Sequence, residues 1–214
     1  MVASISLRGI DRNSYSKVIV FSSCIRQIRG CIYFAIKMRG AFTKEFIDQC
    51  VHRIDDNTKR VTSCLEQLLE SELWKRPNEN SNSVGNLILH VCGNVRQYAI
   101  SSLGNVEDTR ERDKEFSAQE GYSKSELLQK LTQTLDEAKK IMKNATDIEL
   151  LRQRKVQGFT YSGIGIIVHV TEHYSYHTGQ VVFWTKLLKN KDLGFYAGVD
   201  LNIKNETKPG ETHS

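Results

Sequence analysis

Three histidines recur at four-residue intervals in one helical stretch: His169, His173 and His177, within Val168-His169-Val170-Thr171-Glu172-His173-Tyr174-Ser175-Tyr176-His177-Thr178-Gly179-Gln180. The chain has 6 histidines in all, so half of its imidazoles fall in this segment. A spacing of four returns side chains to nearly the same helical face, and two imidazoles so placed can share one metal ion. Adjacent members differ by about 40° in heading, whereas His169 and His177 differ by about 80° and stand roughly two turns apart. The outer two are too far apart along the axis to share an ion. Two ligand pairs remain open, 169/173 and 173/177, and His173 belongs to both.

A further imidazole, His90, lies in a second apolar helical pattern. Facing the stripe, it is a natural third ligand; turned away, it is a hydrogen-bonded core histidine. Three neutral imidazoles leave open positions on a divalent ion, zinc or nickel by ligand type, which suits catalysis better than a closed structural site. Asn94, four residues after His90, and Gln180, three after His177, project toward the same region and could orient a ligand or bond solvent. Without a metal, the stripe would line a polar seam or a pH-sensitive interface. Cys92 heads nearly opposite to His90 and reads as core, Tyr174, Tyr176 and Trp184 as packing residues, and His52 and His213 as unpartnered surface groups.

Most rival signatures are absent, including His-Glu-x-x-His, Gly-x-Ser-x-Gly, a Gly-rich phosphate loop and a dinucleotide fingerprint. One matches: His169-Val170-Thr171-Glu172-His173 satisfies His-x-x-Glu-His, the pattern of inverted zinc proteases. It is short, and a chain of this size lacks the surrounding architecture.

Four amphipathic helices must position these groups. Phe46 to Leu69 repeat at helical spacing, predicting a first helix from about Thr43 to Leu73 that stops before Trp74-Lys75-Arg76-Pro77. A second runs from about Ser83 to Ser102; its Gly85 and Gly93 each cost about 1 kcal/mol relative to alanine and imply close approach of a neighbour. The charged connection from Gly104 to Gly121 reads as a solvated loop. Ser123 and Glu126 form a capping box opening a third helix. Residues 150–156 read as extended. The fourth helix, from about Ser162 to Lys189, carries the histidine stripe, and Leu193-Gly194-Phe195-Tyr196 can pack back on the bundle. The economical fold is all-α, a four-helix bundle with a long crossover connection.

Composition narrows the function classes. Residues 1–37 carry six basic side chains against Asp11 alone, or +5; the rest of the chain holds 24 basic and 24 acidic residues. The neutral remainder lacks a nucleic-acid footprint, and no stretch approaches a membrane span. The 5 cysteines contain no Cys-x-x-Cys pair, which points to reduced thiols in the cytoplasm. The basic, Ser-rich start loosely resembles a transit peptide. The preferred division is an extension over 1–37, a bundle over 38–203 and a disordered polar tail over 204–214.

Glu172-His173-Tyr174-Ser175-Tyr176-His177-Thr178-Gly179-Gln180 resembles the fourth-helix motif of DinB-like proteins, a His-x-x-x-His pair followed by Gly-Gln. Asn86-Leu87-Ile88-Leu89-His90-Val91-Cys92-Gly93-Asn94 resembles their second-helix segment with the remaining ligand. Residues 74–83 and 191–196 are similar to an uncharacterised bacterial branch of that superfamily. The resemblance spans about Thr43 to Tyr196. It implies a four-helix bundle, often a homodimer, with a divalent metal held by His90, His173 and His177, leaving His169 beside the ligands as a partner or cavity residue. Some members transfer or isomerise with bacillithiol, mycothiol or glutathione. The leading expectation is therefore a metal-dependent enzyme joining a low-molecular-weight thiol to a small-molecule substrate. The alternatives are a metal-dependent hydrolase and a non-enzymatic dimeric stress or binding protein.

Overall fold

The computed structural model describes the backbone of residues 12–204 and the side chains of residue 38 and of 40–204. The expectations on the first eleven residues, on the tail from 205 and on His213 lie outside the described residues. Four long helices form the bundle: α1 (Arg12–Gln67), α3 (Val84–Val95), α5 (Lys124–Asn144) and α7 (Gly163–Lys189). Short helices α2 (Glu70–Leu73), α4 (Arg112–Ser117) and α6 (Asp147–Leu151) lie in the connections, and β1 (Gln153–Val156) pairs antiparallel with β2 (Phe159–Ser162). α1 packs against α5 and α7, and α3 packs against the same two, so α1 and α3 are diagonal. The connections 68–83 and 145–162 therefore cross the bundle, whereas α3 and α5 are neighbours joined through α4. No described helix is long and apolar enough to cross a membrane.

Local chemistry sets the helix starts. Ser83 Oγ accepts the Asn86 N–H at 3.1 Å while Asn86 Oδ1 accepts the Ser83 N–H at 3.2 Å. Ser123 and Glu126 form the expected capping box, with the Ser123 N–H donating to Glu126 Oε2 at 2.8 Å. Ser162 caps α7 by accepting the Gly165 N–H at 3.1 Å. The apolar faces meet in a core of Ile54, Leu68, Tyr98, Leu127, Leu131, Leu135, Ile166, Ile167 and Tyr174, all essentially buried. Leu193 and Phe195 pack back on it as expected, and Arg60 donates to Tyr196 Oη at 3.1 Å.

Three expectations need correction. The first helix runs from Arg12 rather than from near Thr43, and no proline falls between Arg12 and Met38 to stop it. It ends at Gln67: Leu69 is extended (φ −77°, ψ 157°), and its N–H is taken by Glu72 Oε2 at 2.7 Å, opening α2. The second helix changes form at Arg96, and Arg96–Leu103 is a π-helical segment closed by bonds such as Gly104 N–H to Ala99 O at 3.1 Å.

Gly85 makes the close approach expected of it. A Cβ there would sit 2.6 Å from the Trp74 ring, and that indole donates to Tyr122 O at 3.3 Å. Gly85→Ala should destabilise the protein by about 1–3 kcal/mol through overpacking, read as a lower denaturation midpoint with an unchanged m-value.

Candidate metal centre

The helices bring three Nε2 atoms to one point. His173 Nε2 lies 3.2 Å from His90 Nε2 and 3.2 Å from His177 Nε2. The donor atoms of His90, His173 and His177 all fall within 4.8 Å of one another, so the three could hold a metal ion. Zinc–nitrogen bonds of 2.0–2.1 Å at tetrahedral angles separate neighbouring nitrogens by about 3.3 Å, close to the spacing observed.

The rings are aimed from behind. His90 Nδ1 is 2.9 Å from Glu115 Oε2, and His177 Nδ1 is 2.7 Å from Gln180 Oε1. A carboxylate and an amide oxygen only accept, so each Nδ1 carries the proton and each Nε2 presents a lone pair. His173 can donate to one of those lone pairs but not to both, and its own Nδ1 is buried without a partner. A cation among the three nitrogens satisfies every lone pair that faces inward, so the donor set fits a divalent ion.

Glu115 escaped the sequence reading. The stretch 104–121, read as a solvated loop, instead folds α4 against α3 and buries this carboxylate. Asn86 Nδ2 donates to the carbonyls of Glu115 and Ala118 at 2.9 and 2.8 Å, and Arg76 donates to Phe116 O at 2.6 Å. Arg110 clasps Glu115 through Nε (2.7 Å) and Nη2 (2.8 Å) and donates from Nη1 to Gln97 Oε1 at 2.9 Å. Its Nη2 also lies 3.2 Å from His90 Nδ1. Both of those atoms are donors once Nδ1 is protonated, so the guanidinium's bonds belong to the carboxylate. Burial alone would raise the Glu115 pKa, but hydrogen bonds from Arg110 and His90 prevail and hold it below the usual carboxylate range. The signal that pointed here was Gly93, since a Cβ at that position would strike Glu115, 2.6 Å from Cδ.

His169 turns elsewhere. Its Nε2 meets Asn94 Nδ2 at 3.1 Å, and its ring stacks on Tyr98 with centroids 4.1 Å apart. The ring is also 5.3 Å from that of His173. Asn94 thus bonds His169 rather than a member of the triad, and its Oδ1 is buried without a partner. The π-helical segment carries Gln97, Tyr98 and Arg96 on its widened turns, which is how one helix reaches both Arg110 and His169. Glu172 is exposed, so His-x-x-Glu-His brings no carboxylate to the triad. Cys92 is buried, as expected, with its thiol pushed up to about 12 by burial. Tyr174 is buried too, whereas Tyr176 is exposed, contrary to its reading as a packing residue. His52 has a partner after all, Asp56 Oδ2 at 3.3 Å.

Burial, followed by the neighbouring His177, His90, His169 and Arg110, lowers the His173 pKa from 6.5 to about 3. Burial lowers His177 and His169 as well. Neutral imidazole is the metal-competent form. In metal-free protein these folded values lie below the unfolded one, so the unfolded chain binds more protons as pH falls. Stability should be undiminished above about pH 6.5 and decline through the window down toward pH 3. Thermal melts in chelator should show Tm falling from pH 7.5 to 5, with a shallower slope in His173→Gln.

The bundle defines a class of fold. A DinB-like protein of Bacillus subtilis, YjoA, is similar at 16% identity and a TM-score of 0.52, the match covering 67% of this chain and 94% of that one. A DinB-like protein of Bacillus cereus is similar at 13% identity and a TM-score of 0.54, covering 66% and 92%. At these identities the likeness is one of fold. No curated protein matches. Residues 41–197 match the family described as "Protein of unknown function (DUF1572)", and the chain belongs to that family.

Proposed function

We propose that this protein is a divalent-metal enzyme that transfers a low-molecular-weight thiol to a small electrophilic substrate. The observation that carries the reading is the convergence of three Nε2 atoms at 3.2 Å spacings, two of them fixed as acceptors by Glu115 and Gln180. His90, His173 and His177 are the ligands in this reading. Gln180 and Glu115 orient two of them, and Asn94 with His169 lines the adjoining space. A bound zinc or nickel ion would supply a Lewis acid that favours the thiolate. In the transfer the thiol proton goes to solvent, sulfur bonds the electrophilic carbon, and the leaving group departs with its electron pair. Hydrolysis is disfavoured because the carboxylate bonded to the triad, Glu115, is occupied by His90 Nδ1 and Arg110. The test is conjugation of glutathione, bacillithiol and mycothiol to 1-chloro-2,4-dinitrobenzene, with the chain zinc-loaded, nickel-loaded or chelated. Metal-dependent turnover with one thiol supports the reading. No transfer by metal-loaded protein with any of them defeats it.

The partner in this reading is a second copy of the chain. On α7, Tyr176, Phe183 (66% exposed) and Leu187 fall within about 40° of heading and leave an apolar strip uncovered. Phe183→Glu should convert a dimer to a monomer in light scattering, and a monomeric wild type would remove the expectation. Cys50, Cys64 and Cys92 are unpaired, which fits a cytoplasmic setting.

A further inference from the structure

A cavity of about 480 Å³ opens between α3, α4 and α5, behind Glu115 as seen from the histidines. That volume is in the range of small-molecule sites. Its floor is the buried Arg110–Glu115 pair, and Leu89, Ala118 and Tyr122 give it apolar walls. Its charges cancel in pairs: Arg110 with Glu115 at 2.7 Å, Lys114 with Glu111 at 2.8 Å, and Arg96 with Glu137 at 3.1 Å. One cation is left over. Lys130 has no carboxylate partner among the described residues, and its Nζ stands 5.7 Å from the Tyr122 ring centroid.

We infer that this cavity is a second binding site, distinct from the histidine cluster, for a small monoanion with an aromatic or apolar body. The anionic group pairs with Lys130, and the body lies against Tyr122 and Leu89. A dianion would leave a charge unmatched, since the other three cations are already neutralised. A neutral molecule would gain nothing from the ammonium. The Cys92 thiol on its wall is buried, which raises its pKa, and the site is proposed for binding rather than covalent chemistry.

The probe is 3-phenylpropionate, titrated into the full chain by calorimetry, with 3-phenylpropionamide as the neutral control. The expected result is saturable binding of one carboxylate per chain. Affinity should drop about tenfold or more in Lys130→Gln and for the amide, matching one charge-assisted contact. Lys130 is exposed, so the variant should melt as wild type. His173→Ala should bind the carboxylate unchanged, which separates this site from the metal centre and from the proposed transfer reaction. Non-saturating binding, equal affinity of Lys130→Gln and wild type, or loss of binding in His173→Ala would each overturn the inference.

Discussion

His173→Ala purified from zinc- or nickel-replete medium should carry less than about a tenth of an equivalent of metal, against close to one for the wild type. The reason is position. His173 Nε2 is the atom within 3.2 Å of both other nitrogens of the triad, so its removal leaves two imidazoles with no nitrogen between them. The loss should exceed the 10–100-fold typical of removing a partner behind a ligand. Metal should raise the Tm of the wild type and leave that of the variant unmoved, because only a folded chain that binds the ion gains stability from it. His169→Ala is the comparison: its Nε2 is bonded to Asn94, and metal content should stay near the wild-type level. Metal-free wild type after replete purification would defeat the proposal at its root.

The second large effect is expected at Glu115. The Arg110 side chain is 2% exposed and places two of its hydrogen bonds on this carboxylate. Glu115→Ala leaves a buried guanidinium without its counter-charge, a change that costs about 3–5 kcal/mol. The same substitution frees His90 Nδ1 to choose its tautomer and should lower metal affinity about 10–100-fold. Urea titration and competition with a chromophoric chelator read the two effects separately. Glu115→Gln should keep part of the affinity, through a carbonyl that still accepts from Nδ1, yet lose most of the stability. Gly93→Ala reaches the same carboxylate from α3, since its methyl would occupy the space Glu115 holds. A Glu115→Ala protein with wild-type affinity would show that the carboxylate serves packing alone.

Much of this arrangement was legible in the residues. The helical repeats and Ser caps located the starts of α3, α5 and α7 to within a residue, because capping and amphipathic spacing are local. The histidine spacing made His173 central but left its partner open between His169 and His177. The family resemblance favoured His177 and His90, and the structure brings those two together with His173 while His169 turns toward Tyr98. Glu115 was hidden because a buried carboxylate in a run of alternating charges looks like its solvated neighbours until a partner arrives. That partner, Arg110, is only five residues away, yet the pair is buried only once the segment folds against α3. The π-helical segment left no mark either, since its apolar positions also satisfy an ordinary helical period. Gly93 was half a signal: a glycine in a helix interior implied that something came close, without naming it.

The connection between α3 and α5 therefore sets a timescale as well as a geometry. α4 is six residues long, held to the bundle by its last carbonyls, which Asn86 and Arg76 take, and by the contact of Glu115 with His90. Short elements flanked by loops open far more often than the bundle unfolds. Each opening would withdraw the carboxylate from His90, so in the proposed metal-bound form the dwell time of an ion should follow the opening of this segment. Amide exchange at Lys114–Phe116 and the rate of metal release to a chelator should then share one clock.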